Sequence, residues 1–252
     1  MSHAIGELVC GNPENNRLGE ILLHLRRSIE ALMESLSELS TKDPRRLTDY
    51  GPFLGRSLLE VVATVLCGRF DPVRLLIVRD VQERSDYDIN KVWKVSLRWQ
   101  GDVLAPKVEN PTALGAEQLE YEKLSKALLG AHYDALLWQP ALQRLAEFNT
   151  SNSGSYWLTE MLAKDPKGFI PERRERLGQL YSAFSKGIHH EFVVPPGSKL
   201  DGTTVVNLLT GALRHVAELA VVSHFVGHTP GTLSGSEALR LFLAVEGCEV
   251  VT

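Results

Sequence analysis

Apolar residues recur at helical spacing along most of the chain. Leu18, Ile21, Leu22, Leu25, Ile29, Leu32, Met33, Leu36 and Leu39 fall at three- and four-residue steps, the pattern of an amphipathic helix. The pattern predicts a long helix from Asn15 to Thr41, ending before Asp43-Pro44. Its other face carries Arg17, Glu20, Arg26, Arg27, Glu30, Glu34 and Glu38. A helix of that length packs antiparallel to another or supplies a dimer seam. Gly51-Pro52 opens a second helix, whose Phe53, Leu54, Leu58, Leu59, Val61, Val62, Val65 and Leu66 make it apolar almost all round. Such a helix is expected to be buried. Arg56 and Glu60 interrupt it four residues apart. After Gly68, Asp71 offers an N-cap and Pro72 suits the first position of a helix running to about Arg84.

The rest of the chain reads in the same way. Residues 1–13 are weakly patterned and close on the turn signal Asn12-Pro13. Residues 86–104 fit a strand or a helix. A lone strand has no partner, which favours helix, with Trp93 and Leu97 on one side. Helices follow over 115–131, 134–149 with a break expected at Pro140, and 156–163. Another runs from Pro171 to the Pro195-Pro196-Gly197 stop. A long helix from Val205 to Val226 is capped by Asp201 or Thr203, and a last one covers 236–245. Thr150–Ser155 is linker-like, either a surface loop or a division between halves. The expected fold is all-α, a single domain over 1–252 with about eight to ten helices and antiparallel packing of the long ones.

Composition narrows the class of protein. The net charge of −4 and pI of about 6.1 give no global attraction to nucleic acid or anionic lipid. The three cysteines, Cys10, Cys67 and Cys248, are far apart and match no zinc spacing, as expected for free thiols in a reducing compartment. No signal peptide is visible and no stretch approaches a membrane span, so a bacterial cytoplasmic protein is expected. The sequence holds no G-x-x-x-x-G-K-[ST], no strand-linked G-x-G-x-x-G, no H-E-x-x-H and no G-x-S-x-G. These absences argue against a P-loop ATPase, a Rossmann dehydrogenase, a zincin and an α/β-hydrolase.

Polar chemistry concentrates in Leu180–Val194. Ser182, Ser185, Lys186 and His189 share one face at three- and four-residue steps, beside an apolar face of Tyr181, Phe184, Ile188 and Phe192. A histidine suits proton transfer near neutral pH, and a nearby cation stabilises developing phosphate charge. The same spacing fits a core histidine bonded to a backbone carbonyl or to Glu60. His190 points away. Arg56 with Glu60 is an intrahelical ion pair or a guanidinium available to a phosphate. His224 and His228, with His215 before them, have metal spacing on a helix, but no Asp, Glu or Cys completes a set. No metal or other cofactor is therefore expected. Arg214 and Glu218 fit a surface pair.

Two of these fragments, R-S-L-L-E at Arg56–Glu60 and Y-S-A-F-S-K-G-I-H-H at Tyr181–His190, resemble HEPN-like all-α proteins. That superfamily is widespread in bacterial toxin–antitoxin and antiphage defence systems, and many members are dimeric metal-independent ribonucleases. The resemblance implies a four-helix core with an embellished periphery. Its motif places an arginine four to six residues before a histidine. His189 matches the histidine, but Ala183, Phe184 and Ser185 occupy the arginine positions. Two readings stay open. In one, an RNase uses His189 as acid or base, Lys186 and Arg56 against phosphorane charge, and Glu60, Ser185 and Ser182 as a supporting polar network. In the other, a non-catalytic subunit holds that network as structure and binds a partner encoded beside it through its first long helix. RNA, an operon partner and a second copy of the chain are the partners implied, and no membrane.

Overall fold

The computed structural model describes residues 2–42, 44–88, 90, 96–105, 126–149, 154–188 and 200–247. Ten helices and no strand occur among them. They are α1 (Ser2–Cys10), α2 (Arg17–Lys42), α3 (Pro44–Phe70), α4 (Pro72–Gln82), α5 (Ala131–Tyr133), α6 (Gln139–Phe148), α7 (Tyr156–Leu162), α8 (Pro166–Ile188), α9 (Gly202–Ser223) and α10 (Gly235–Glu246). The all-α expectation holds.

The long helix α3 is the axis of the bundle. It packs on α2, α8 and α9. Glu20–Arg27 of α2 lie beside Ser57–Thr64 of α3 while Lys42 adjoins Pro44, so these two run antiparallel. Pro52 meets Gly187, and Arg56 meets Ser185, so α8 is antiparallel to α3 as well. In contrast, Gly51 faces Val205 and Arg69 reaches Ser223, which makes α9 parallel to α3.

Several local expectations change in the folded chain. Residues 2–10 form α1, with Ile5, Leu8 and Val9 fully buried. Arg26 of α2 ties α1 down through Glu7 at 2.7 Å, with Glu30 at 3.0 Å completing the pair. The nine-residue segment is too short to show a period by itself and folds on its neighbours. Helix α3 starts at Pro44 and passes through Gly51-Pro52. The buried Pro52 ring packs at Gly187, so tertiary contact offsets the backbone bond that proline forgoes. Helix α8 likewise starts at Pro166 and contains Pro171. Pro140 causes no break: a π-helical turn over Asp134–Trp138 precedes it, and it occupies the first turn of α6. Asp71 caps no backbone amide with its side chain and instead pairs with Arg74 at 3.3 Å. The helix expected over 86–104 is absent from its described part. Residues 98–104 make a turn around Gly101 (φ 106°), with Asp102 Oδ2 accepting from the Arg98 amide. The strand-like Val92–Val95 lie outside the described residues, as does most of the helix expected over 115–131.

Two buried ionic clusters hold the bundle together. Arg69, at the end of α3, is 1% exposed. It donates to Val9 O at 3.2 Å, Pro230 O at 3.2 Å and Ser223 Oγ at 2.6 Å. Its last contact is His224 Nδ1 at 3.1 Å. His224 Nε2 lies 2.7 Å from Leu8 O, and Nδ1 also accepts from the Leu233 amide. These contacts require the neutral Nε2–H tautomer. Burial, and next the Arg69 charge, push the His224 pKa down to about 3. Helix α9 ends at Ser223 and His228 sits in a turn with φ 69°, so the two histidines share no helix face. Arg69 itself is lowered to about 10 by burial and keeps its charge at neutral pH.

The second cluster surrounds Glu218, which is fully buried. Arg173 of α8 pairs with it at 2.7 Å, Arg214 at 3.0 Å and His215 at 3.1 Å. Arg214 also reaches Glu160 of α7 at 2.7 Å. The surface pair expected from i,i+4 spacing is thus the bolt between α7, α8 and α9. Contrary to the expectation that no stretch approaches a membrane span, helix α9 is long and apolar enough for one by length and composition, with mean hydropathy 1.4; 61% of that apolar stretch is buried in the bundle.

Removing the Arg69 charge strands several buried acceptors. Arg69→Met is expected to lose about 3–5 kcal/mol of stability, measured by urea unfolding, with α1 amides losing exchange protection first. An unchanged midpoint would refute this role. Asp134 provides a pH test. Its Oδ1 is buried without a hydrogen-bond partner, and burial pushes the carboxyl up to about 6 against the Gln139 hydrogen bond and the Arg174 charge. Because the folded pKa exceeds the unfolded value of about 3.9, the favourable contribution is complete below that value. It is lost as pH rises through about 6. Asp134→Asn should therefore gain about 2–3 kcal/mol on the wild type between pH 4 and pH 8. Parallel stability curves across that range would contradict it.

Candidate functional site

Two glycines bring α3 and α8 together. A Cβ on Gly55 would sit 2.5 Å from Phe184 Cζ, and one on Gly187 would sit 2.7 Å from Pro52 Cβ. Phe184 is fully buried in that contact. This approach lets Arg56 reach across to α8. Its Nη2 donates to Tyr181 Oη at 2.7 Å, and Nη1 lies 3.4 Å from Ser185 Oγ. Within α3, Arg56 Nε donates to Glu60 Oε1 at 3.1 Å. The Tyr181 hydroxyl donates to the same Glu60 oxygen at 2.8 Å, closing a triangle of arginine, phenol and carboxylate. Ser185 Oγ donates back to Tyr181 O at 2.7 Å. Trp99 stacks on the Tyr181 ring with centroids 4.4 Å apart and 8° between the planes, and the Arg56 guanidinium lies 4.6 Å from that ring's centroid.

The cluster sits at the bundle's edge. The Arg56 side chain is 32% exposed and that of Glu60 is 48% exposed. The apolar sequence around them predicts a fully buried pair; the helix instead turns this edge toward water. Burial pulls the Arg56 pKa down, but its bonds to Glu60 and Tyr181 outweigh this and the net shift is upward. Burial, and then the Glu60 contact, raise the Tyr181 phenol. At neutral pH Tyr181 is thus a protonated donor and Arg56 a cation with N–H groups to spare.

The predicted residues divide between two places. Arg56, Glu60 and Ser185 come together. Ser182 and Lys186 do not join them. They are exposed and line another groove, of about 1150 Å³, with Arg174, Gln179, Thr204 and Leu208. On a helix, Ser185 is offset toward Tyr181, whereas Ser182 and Lys186 lie on the other side of that line. His189 and His190 lie outside the described residues, one and two positions beyond Ile188, where the described part of α8 ends. Tyr181 and Trp99 are participants that spacing did not single out: Tyr181 reads as an apolar-face residue until its hydroxyl finds Arg56, and nothing local marks Trp99. Glu60 and Trp99 also border a groove of about 840 Å³ between α2, α3 and α4. Among the described residues no group of three or more His, Cys, Asp or Glu side chains is placed to hold a metal ion. Cys10 and Cys67 are free and buried.

Comparison of the chain with protein-family models, with curated proteins and with solved structures finds no match.

Tyr181→Phe deletes the hydroxyl that joins Arg56 to Glu60 while leaving the ring on Trp99. It should cost about 1 kcal/mol in denaturant unfolding, with tryptophan fluorescence of the folded state preserved. A loss of several kcal/mol would mean that the ring has moved as well.

Proposed function

We propose that the chain is a HEPN-like component of a bacterial cytoplasmic defence or toxin–antitoxin system, and that it cleaves RNA without a metal. The observation that carries this reading is the reach of Arg56 from α3 to Tyr181 and Ser185 on α8. Ser185 stands four residues before His189. In this reading Arg56, from the neighbouring helix, takes the place of the arginine that the motif puts four to six residues before the histidine. In this reading the RNA 2′-hydroxyl attacks the adjacent phosphorus, forming the O2′–P bond as the P–O5′ bond breaks. The products are a 2′,3′-cyclic phosphate and a 5′-hydroxyl. His189 moves a proton as base or acid, and Arg56 stabilises the charge on the phosphorane oxygens. Lys186, on its separate groove, holds the RNA backbone rather than the reacting phosphate.

A second reading has its own support. Glu60 already neutralises Arg56, and the triangle with Tyr181 is closed without a ligand. That fits a non-catalytic subunit whose polar contact sets the angle between α3 and α8, while the charged face of α2 meets a protein partner.

His189→Ala and Arg56→Ala should each abolish cleavage of a mixed RNA panel in EDTA while shifting the melting temperature by only a few degrees. Wild-type protein that leaves every RNA intact would defeat the nuclease reading. Hydrogen-exchange protection of α2 in a complex from the native host would then support the interaction subunit.

A further inference from the structure

One oxygen of the candidate cluster sits where two donors converge. Glu60 Oε1 accepts from Arg56 Nε at 3.1 Å and from the Tyr181 hydroxyl at 2.8 Å. A cationic N–H and a phenol O–H aimed at one point are the elements of an oxyanion site, and here the carboxylate oxygen fills it. The donors are held from elsewhere. Trp99, 8% exposed, stacks on the Tyr181 ring with centroids 4.4 Å apart. Arg56 Nη2 donates to the Tyr181 oxygen at 2.7 Å, so the guanidinium is tied to α8 independently of Glu60. Glu60 lacks such support. Its Oε2 has no hydrogen-bond partner among the described residues, and its side chain is 48% exposed.

The acceptor is therefore the replaceable part of the triangle. An ion pair with both partners in contact with water is weak, because water competes for each charge. Glu60 also borders the groove of about 840 Å³ between α2, α3 and α4, which gives its carboxylate room to turn away from Arg56. The other carboxylates on that groove, Glu20 and Glu83, are both paired with Arg79. A phosphate oxygen at the vacated point receives the same two donors, and a guanidinium matches phosphate in geometry as well as in charge. The exchange gives up one exposed ion pair and restores both hydrogen bonds to a different anion.

We propose that Glu60 is a built-in inhibitor of an oxyanion site formed by Arg56 and Tyr181, and that a phosphate oxygen enters by displacing the carboxylate toward the groove. The identity of the phosphate as an RNA diester rests on the reading given above; the displacement adds how that site is regulated. Arg56 and Tyr181 stay in place, and only Glu60 moves. Tyr181 is a positioning residue for Arg56 in the closed state and a second donor to the phosphate in the open one.

Two probes test this on the full-length protein. Inorganic phosphate offers the oxyanion alone, and a labelled single-stranded oligodeoxythymidine offers diesters without a 2′-hydroxyl to cleave. The Arg56 Nε–H resonance, identified by its loss in Arg56→Gln, follows phosphate, and fluorescence anisotropy follows the strand. Glu60→Ala should tighten both about fivefold, equivalent to about 1 kcal/mol and so the upper end of what an exposed pair withholds. Glu60→Gln should show a smaller gain in the same direction, because its amide oxygen remains a weaker acceptor, and it keeps the test open if the alanine variant unfolds. Glu147→Gln removes an exposed carboxylate of α6 with the same change in net charge, and should leave both affinities unchanged. Adding Tyr181→Phe to Glu60→Ala should remove most of the gain, since the phenol then donates to neither anion. No gain in either Glu60 variant, an equal gain in Glu147→Gln, or a gain indifferent to Tyr181→Phe would overturn the displacement. Tighter phosphate binding in Glu60→Ala, with no RNA cleaved by any form, would sustain the displacement while the nuclease reading fails. Cleavage by the wild type without that gain would do the reverse.

Discussion

A lone buried guanidinium sets the geometry on which the other helices depend. Among the described residues Arg69 has no carboxylate partner. Its charge is met by Val9 O, near the C-terminus of α1, by the Ser223 hydroxyl at the end of α9, and by Pro230 O. Helix C-termini carry partial negative charge, so two of them converging on one cation offset part of its desolvation. The neutral imidazole of His224 completes the shell and passes the contact on to Leu8 O. One side chain thereby fastens three helix ends at a common point.

Register follows from that anchor. With α9 held parallel to α3 at Arg69, Gly51 meets Val205 and Gly55 approaches Leu209 further along. Glu218 of α9 then takes Arg173 of α8 in a pair with almost no exposure. That pair sets how α8 lies along α9, and so which α8 residues stand opposite the middle of α3. Tyr181 and Ser185 face Arg56 because both constraints agree. The closeness of the approach comes from Gly55 and Gly187, whose missing side chains leave room for Phe184 and Pro52.

The candidate site is polar, half-exposed and internally paired. Such a cluster works as a fixed angle between two helices or as a cation waiting for an anion, and its chemistry is compatible with both. Its surroundings are mixed: aromatic rings in water lie along α3, and Lys186 and Arg174 share a separate groove along α8 with Glu172 and Glu175.

The apolar period over Leu18–Leu39 determined α2 within a few residues of its observed ends, and of the two caps open for α9, Asp201 or Thr203, it is the Asp201 side chain that accepts from the Thr204 amide, with the helix starting three residues before the expected Val205. These are local effects, decided by spacing and by side chains beside their own backbone. The Arg56–Glu60 pair was legible for the same reason. Tertiary structure decided the rest. Helix α1, the continuity of α3 through Pro52 and of α8 through Pro171, and the burial of Glu218 all depend on partners far away in sequence. The division of Ser185 from Ser182 and Lys186 was equally out of local reach. Spacing places all of them near one face, and only the position of α3 against α8 selects which side chains meet Arg56. Periodicity fixes an azimuth on a helix; what occupies that azimuth is set by packing with segments that the period does not describe.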